Sequence, residues 1–373
     1  MTKNKLRILM LTFPNLRSKK TPEEFLQQAS TIGNLVKIYK QQSIKLSIFI
    51  PFHSNHKIQH EEVSINFVRV KNSYLSNFKN LYKAIEPFQF DIIHLHNFLD
   101  VKNNLRLLRK IGSDIPVLIQ NHGEMPPTIL LRKILVKKLF ARVNSILFAA
   151  PGQEEAWVAK GLIKDRKKCC FCWEDFSKFE EFTTEVKPKS LNNPPIILWV
   201  ANLDRNKDPL TALDGFEQFL LENKARLKMI YKGTSLEKVV KQKIAASSLL
   251  TKNVELVGPL SSDDLYLHYQ EADYILQASH KEGSGYSITE ALSCGLIPIL
   301  SDIPSFRLLS RNGELGAIFT RGNASSIKKA LVDAFSKNRE EQQKLTLQHY
   351  RQNFSSMAIA KKLVLIYNDM LGK

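Results

Sequence analysis

The chain has 373 residues, with 54 Lys+Arg against 36 Asp+Glu for a formal net charge of +18, 43% hydrophobic residues and four cysteines. That length suggests two domains, each large enough to bury its own core. The composition excludes a disordered, collagen-like or disulfide-stapled chain. No run of 18 uncharged apolar residues occurs, and the opening MTKNKLRILMLTF is too short in its apolar part, and lacks a small-residue cleavage site, for a secretory signal. The expected location is the cytoplasm.

Taken in chain order, the first half alternates short β-rich runs with helical patterns: LRILMLTF, a helix from about Thr21, KLSIFIP, INFVRV, a helix near Leu75 to Ile85, FDIIHLH, IPVLIQ and NSILFAA. This rhythm predicts parallel strands joined by helices. Thr21-Pro22-Glu23-Glu24 reads as an N-cap, a proline at the first helical position and a capping-box glutamate. Cys169, Cys170 and Cys172 fall within four positions, which suits neither a bridged framework nor a four-ligand zinc site, so they are expected to be free thiols in a half-buried strand. Between Glu180 and Pro195 the chain turns polar and Pro/Asn-bearing, and IILWVANL then opens a second series of strands and helices. The predicted organisation is a first Rossmann-like domain over 1–185, joined by a C-terminal helix at 355–373, and a second over 192–354. Residues 1–190 hold 31 Lys+Arg and 17 Asp+Glu, a net of +14, against +4 for the remainder, so the first half is expected to meet an anionic partner.

The richest stretch is Lys281 to Phe306. A glycine-bearing loop, Glu282-Gly283-Ser284-Gly285-Tyr286, leads into a helix whose start is expected at Ser287, with Glu290 as its capping-box partner and Gly295 after its last turn. Such a helix start offers outward N–H groups and partial positive charge, and so an anion site. Glu282 and Glu290, seven residues apart and followed by Ala291-Leu292-Ser293-Cys294-Gly295-Leu296-Ile297-Pro298, resemble the E-x7-E signature of the retaining glycosyltransferases of family 4. Asp91 to His96, Asn121-His122-Gly123, Asn202 to Lys207 and Val257-Gly258-Pro259 resemble further parts of that family.

The resemblance implies an α/β protein of GT-B fold, two Rossmann-like domains facing a cleft with the C-terminal helix crossing back to the first. It implies a retaining enzyme that moves a sugar from a UDP-sugar or GDP-sugar, bound by the second domain, to a glycan or lipid-linked acceptor held by the first, in envelope or exopolysaccharide synthesis. By matching positions, His122, Lys207 and Glu282 would serve catalysis. Arg205, Gly258, Gly283, Ser284, Gly285, Tyr286, Ser287 and Glu290 would hold the donor. Glycosyl transfer develops oxocarbenium character while a diphosphate departs, so positive potential on that diphosphate matters more than a strong base. No Asp-x-Asp pair occurs in the chain, so no metal and no cofactor are expected.

Two departures stand out. Asn202 replaces an arginine that usually partners the lysine at position 207, with Arg205 as the available substitute, and the first loop carries Arg17, Lys19 and Lys20 where relatives have a Gly-Gly pair. Trp173-Glu174 stands where relatives often show Asn-Gly. The stretch Ile129 to Val143 has five basic residues and no acidic one, which suggests contact with an anionic membrane surface at the cytoplasmic face through Lys133 and Lys137. No nucleic-acid recognition motif appears. The alternatives are a degenerate GT-B protein that binds a sugar nucleotide or partner without turnover, and a metal hydrolase using His94, His96 and His122.

Overall fold

A computed structural model of the chain describes residues 5–12, 21–28, 36, 38–39, 44–60, 62–70, 78–96, 101–112, 114–182, 194–233 and 235–373. The chain divides into two compact units, residues 1–174 with 356–373, and residues 175–355.

The first unit contains β1 (Leu6–Thr12), β2 (Ile44–Phe52), β3 (His56–His60), β4 (Val63–Arg69), β5 (Ile92–His96), β6 (Val117–Gln120), β7 (Ser145–Phe148) and β8 (Cys169–Phe171). They form one sheet in the order β3-β4-β2-β1-β5-β6-β7-β8. All pairings are parallel except β3 with β4, an antiparallel edge that the sequence pattern does not announce because His56–His60 lacks a hydrophobic alternation. Strands covered on both faces read as continuous apolar runs, and Ile8, Leu9, Met10 and Leu11 are all buried accordingly. Each such side chain contributes about 1.5–3 kcal/mol of transfer free energy. The capping box forms as expected: Thr21 N donates to Glu24 Oε2 at 2.8 Å and Glu24 N to Thr21 Oγ1 at 3.2 Å, opening the helix Pro22–Gln28. The helix Ser356–Met370 belongs to this unit, and its buried Tyr367 meets the Tyr39 hydroxyl and lies 2.8 Å from His94 Nδ1. All four cysteines are free thiols, with Cys172 buried.

The second unit contains β9 (Ile196–Val200), β10 (Arg226–Ile230), β11 (Val254–Gly258), β12 (Tyr274–Gln277), β13 (Ile297–Ser301) and β14 (Ala317–Phe319), all parallel in the order β11-β10-β9-β12-β13-β14. The strand order reverses between β9 and β12, which creates the crevice where doubly wound sheets bind their ligands. The core beneath is aromatic: Trp199, Phe216 and Phe219 are fully buried, and Tyr274 stacks on Phe335 at 4.4 Å. Gly316 takes φ +64°, and a Cβ there would lie 1.8 Å from the Pro298 carbonyl oxygen. Gly316→Ala combines left-handed strain with a backbone clash and should lower unfolding free energy by roughly 2–5 kcal/mol, read by urea denaturation. A shift under 1 kcal/mol would contradict this packing.

The division falls at Glu174/Asp175, not within the polar stretch from Glu180 to Pro195 that the sequence suggests. Phe176, Ser177 and Phe179 are buried among second-unit residues, so the chain already packs with the second unit before the polar run begins. Residues 183–193 of that run lie outside the described residues.

Candidate active site

The loops after β9 and β12 flank the point where strand order reverses, and they carry most of the expected site. Lys207 follows β9 and Glu282 follows β12; their side chains meet at 2.5 Å and are 21% and 13% exposed. The β9 loop is stiffened locally, since Lys207 N donates to Asp204 Oδ1 at 3.0 Å and Asp208 caps the helix Pro209–Leu220. It is also tied to the β12 loop through His280 N, which donates to the Asn206 carbonyl at 2.8 Å. Asn202 does not point into this pair. Its Oδ1 accepts from Gly233 N at 2.9 Å, and a Cβ on Gly233 would press on Asn202 Cγ at 2.8 Å, so this asparagine pins the β9 loop to the β10 loop. Arg205 is exposed and makes no ion pair among the described residues. Gly258 ends β11 in a left-handed conformation and accepts from Tyr231 N at 3.2 Å.

The helix behind the glycine loop runs Tyr286–Ser293, and its start differs from the sequence expectation. Gly285, at φ 73°, is the N-cap; Ser287 lies inside the first turn, and no side chain caps the N-terminus. Glycine wins the position for two reasons: the left-handed conformation is costly for other residues, and a Cβ would meet Phe306 Cε1 at 2.9 Å. Glu290 is therefore not a capping-box partner. Its side chain is buried under neighbouring elements, with the Tyr269 hydroxyl 3.2 Å from Oε2. Oε1 makes no hydrogen bond among the described residues and faces Lys178 Nζ at 3.4 Å. Burial pushes the Glu290 carboxyl above its ordinary value, opposed by the Lys178 ammonium and the hydroxyls of Tyr269 and Tyr286. Burial likewise pushes the Tyr286 hydroxyl up. Glu282, Gly283 and Ser284 precede this turn, and the buried Ser284 donates from Oγ to Asp175 Oδ2 at 2.8 Å.

Asp175 and Lys178 are the residues that sequence reasoning missed. They sit in a polar stretch with no motif, more than a hundred positions before the loop they touch. The one available signal is the Phe176/Phe179 pair, which interrupts an otherwise polar run.

In the first unit, the ends of β5 and β6 gather the expected histidines. His96 Nδ1 lies 3.0 Å from His122 Nε2, and His122 Nδ1 lies 2.5 Å from Glu174 Oε2. A carboxylate only accepts, so it fixes a proton on His122 Nδ1, while Nε2 shares a hydrogen bond with His96 Nδ1. Both ring nitrogens of His122 are thus engaged inside the unit. Burial, with His122 as the next cause, pushes His94 down to about 3, and burial holds His96 well below its usual range, so both stay neutral at neutral pH. Among the described residues no three His, Cys, Asp or Glu side chains are grouped to hold a metal. Trp173 is buried, while Glu174 turns to His122.

Arg17, Lys19 and Lys20 lie outside the described residues. The basic stretch forms the helix Leu130–Arg142. Its buried side is Val136, Leu139 and Phe140, and the large exposed apolar side chains gather at its leading end. Met125, Ile129, Leu130, Leu131 and Ile134 are exposed at the leading end together with Arg132, Leu130 at 71%, while Lys137, Lys138 and Arg142 are exposed at the trailing end. Lys133 is half-buried. Among the described residues no helix is long and apolar enough to cross a membrane.

Comparison with known proteins bears on this geometry. Over 81 residues the chain is 42% identical to the GDP-mannose:cellobiosyl-diphosphopolyprenol alpha-mannosyltransferase of Xanthomonas oryzae, a match that spans only about a fifth of either protein, 21% of each. In structure it is similar to a glycosyltransferase from Rickettsia africae, with a TM-score of 0.73, 17% identity and 99% of both chains covered. It is also similar to an E. coli trehalose-6-phosphate protein bound with UDP-2-fluoro glucose, with a TM-score of 0.69, 12% identity, and 97% and 98% covered. The fold is GT-B. Residues 181–352, nearly all of the second unit, match the family model described as Glycosyl transferases group 1.

Proposed function

We propose that the chain is a glycosyltransferase, retaining and independent of metal, whose second unit binds a nucleoside-diphosphate sugar. The observation that carries this reading is the Lys207–Glu282 pair beside the uncapped start of Tyr286–Ser293, with the buried Glu290 one turn further on, in the segment that matches the family. The helix start and Lys207 supply positive potential where a diphosphate would leave. Among the described residues Glu290 Oε1 accepts no hydrogen bond and faces Lys178 Nζ at 3.4 Å, which leaves it suited to a ribose hydroxyl. The anomeric bond to the diphosphate breaks, the acceptor hydroxyl forms the new bond on the same face, and its proton leaves with the diphosphate. The Xanthomonas relative makes GDP-mannose the first donor to try, with a lipid-linked glycan as acceptor in envelope or exopolysaccharide synthesis.

Calorimetric titration with UDP, GDP, ADP and CMP, with and without EDTA, tests it. Binding of one diphosphate that survives EDTA supports the donor site and names the base; binding of none overturns it. Binding without transfer to any lipid-linked acceptor would favour the second reading, a non-catalytic relative, for which Asn202 in place of an arginine is the specific argument.

The same reading places the first unit on the cytoplasmic face of the membrane, through the leading end of Leu130–Arg142. Exposed apolar side chains at the leading end, with Arg132 among them and Lys137, Lys138 and Arg142 behind, suit insertion beneath anionic headgroups. Leu130→Glu with Ile134→Glu should weaken binding to vesicles containing phosphatidylglycerol at least ~tenfold, since each exposed side chain offers roughly 1.5 kcal/mol or more to the bilayer. Equal flotation of variant and parent would count against this face.

A further inference from the structure

The strap Asp175–Phe182 is fastened to the glycine loop and its helix at several points. Ser284 Oγ donates to Asp175 Oδ2 at 2.8 Å, Ser293 Oγ and Ser177 Oγ lie 2.7 Å apart, and Lys178 Nζ stands 3.4 Å from Glu290 Oε1. The strap is anchored from behind as well: Ser177 N donates to the Tyr350 hydroxyl at 3.1 Å, and that hydroxyl donates to Glu180 Oε2 at 2.8 Å. Phe179 is buried against Tyr266 and Tyr269, with ring centroids at 5.0 and 5.8 Å, and Lys178 Nζ lies 4.8 Å from the Phe179 centroid. Lys178 is therefore held over Glu290 from both sides of its stem, although its side chain is 38% exposed.

We propose that Lys178 is a positioning residue of the donor site: it is the counter-ion of Glu290, and the strap that carries it is part of that site. This rests on the reading of Glu290 as a nucleotide-sugar ligand and adds a partner that no motif contains. A buried carboxylate needs compensation to remain an acceptor. The groups facing Glu290 are the Lys178 ammonium from the strap, the Tyr269 hydroxyl from the helix Ser262–Glu271 and the Tyr286 hydroxyl from its own helix, with Asp175 beside Tyr286 and Cys294 beside Tyr269. Lys178 is the single cation among them. Without it, burial holds the carboxyl higher still, and Glu290 takes up a proton at a higher pH than in the parent.

The test is calorimetric titration of the full chain with GDP and UDP between pH 5.5 and 8.5, for the parent, Lys178→Met and Lys178→Arg. The sign follows from proton linkage: binding needs the ionised carboxylate, so affinity is present above the Glu290 pKa and falls below it, by up to tenfold per pH unit. In Lys178→Met the fall should begin at higher pH than in the parent, so the ratio of variant to parent affinity should drop as pH is lowered. Lys178→Arg should restore the parent profile. A merely structural strap would weaken binding equally at every pH, and a Lys178→Met profile parallel to the parent's would overturn the proposal while leaving the donor site standing. Failure of the parent to bind either nucleotide would overturn both.

Discussion

Lys207→Ala should lower kcat by roughly 10²–10³-fold, the loss typical of removing one preorganised donor from a developing charge, with a smaller change in KM. Charge on the departing diphosphate grows toward the transition state, so a cation aimed at it contributes more there than in the ground state. The 2.5 Å contact with Glu282 adds a second consequence. Truncating the lysine leaves that carboxylate, 13% exposed, uncompensated next to an anion site. Adding Glu282→Gln to Lys207→Ala should therefore recover part of any lost donor affinity without recovering kcat. Equal losses in kcat and in affinity for Lys207→Ala would contradict the assignment, as would a double variant no better at binding than the single one.

Glu290→Ala should raise the nucleotide dissociation constant by about 10–100-fold, since hydrogen bonds to a charged group are worth ~1.5–3 kcal/mol each. A stability measurement separates this from damage to the fold. The folded Glu290 carboxyl lies above its ordinary value, chiefly through burial, so its ionised form opposes folding at neutral pH and the opposition fades as pH falls through the folded pKa. The isosteric Glu290→Gln removes that opposition. It should melt at or above the parent temperature at pH 7 while binding GDP or UDP more weakly. A variant that loses binding and melting temperature together would show Glu290 to be a core residue, not a ligand.

Much of the fold follows from local pattern. Parallel strands buried on both faces demand unbroken apolar runs, and LRILMLT, IILWV and IPILS are such runs. The antiparallel β3 escaped because its five residues pair through backbone groups at an edge and need no apolar face. At the candidate site, the family resemblance carried by Asn202 to Lys207 and by the Glu282/Glu290 spacing put Lys207, Glu282 and Glu290 in view, and the loops after switch-point strands are where doubly wound sheets bind ligands. The helix start was misread by two residues: a serine followed by a glutamate three positions on has capping-box form, but Gly285 can take a backbone conformation that Ser287 could adopt only with strain, and the helix begins there instead.

What the sequence determined by itself was therefore the alternation of strands and helices, the capped start at Thr21, the basic first half and the glycine-bearing loop ahead of a helix at Glu282 to Tyr286. These depend on nearest neighbours, on periodicity and on composition. The tertiary structure decided which charges are paired. It turned Glu290 away from its own helix end, seated Lys178 over it from a strap more than a hundred residues earlier, engaged both nitrogens of His122 with His96 and Glu174, and fastened Asn202 to Gly233. It also left the large exposed apolar side chains of Leu130–Arg142 at its leading end, a distribution that a helical wheel, projecting along the axis, does not show. Ionic and hydrogen-bonded partners are chosen by which groups are buried against one another, and burial is a property of the packed chain.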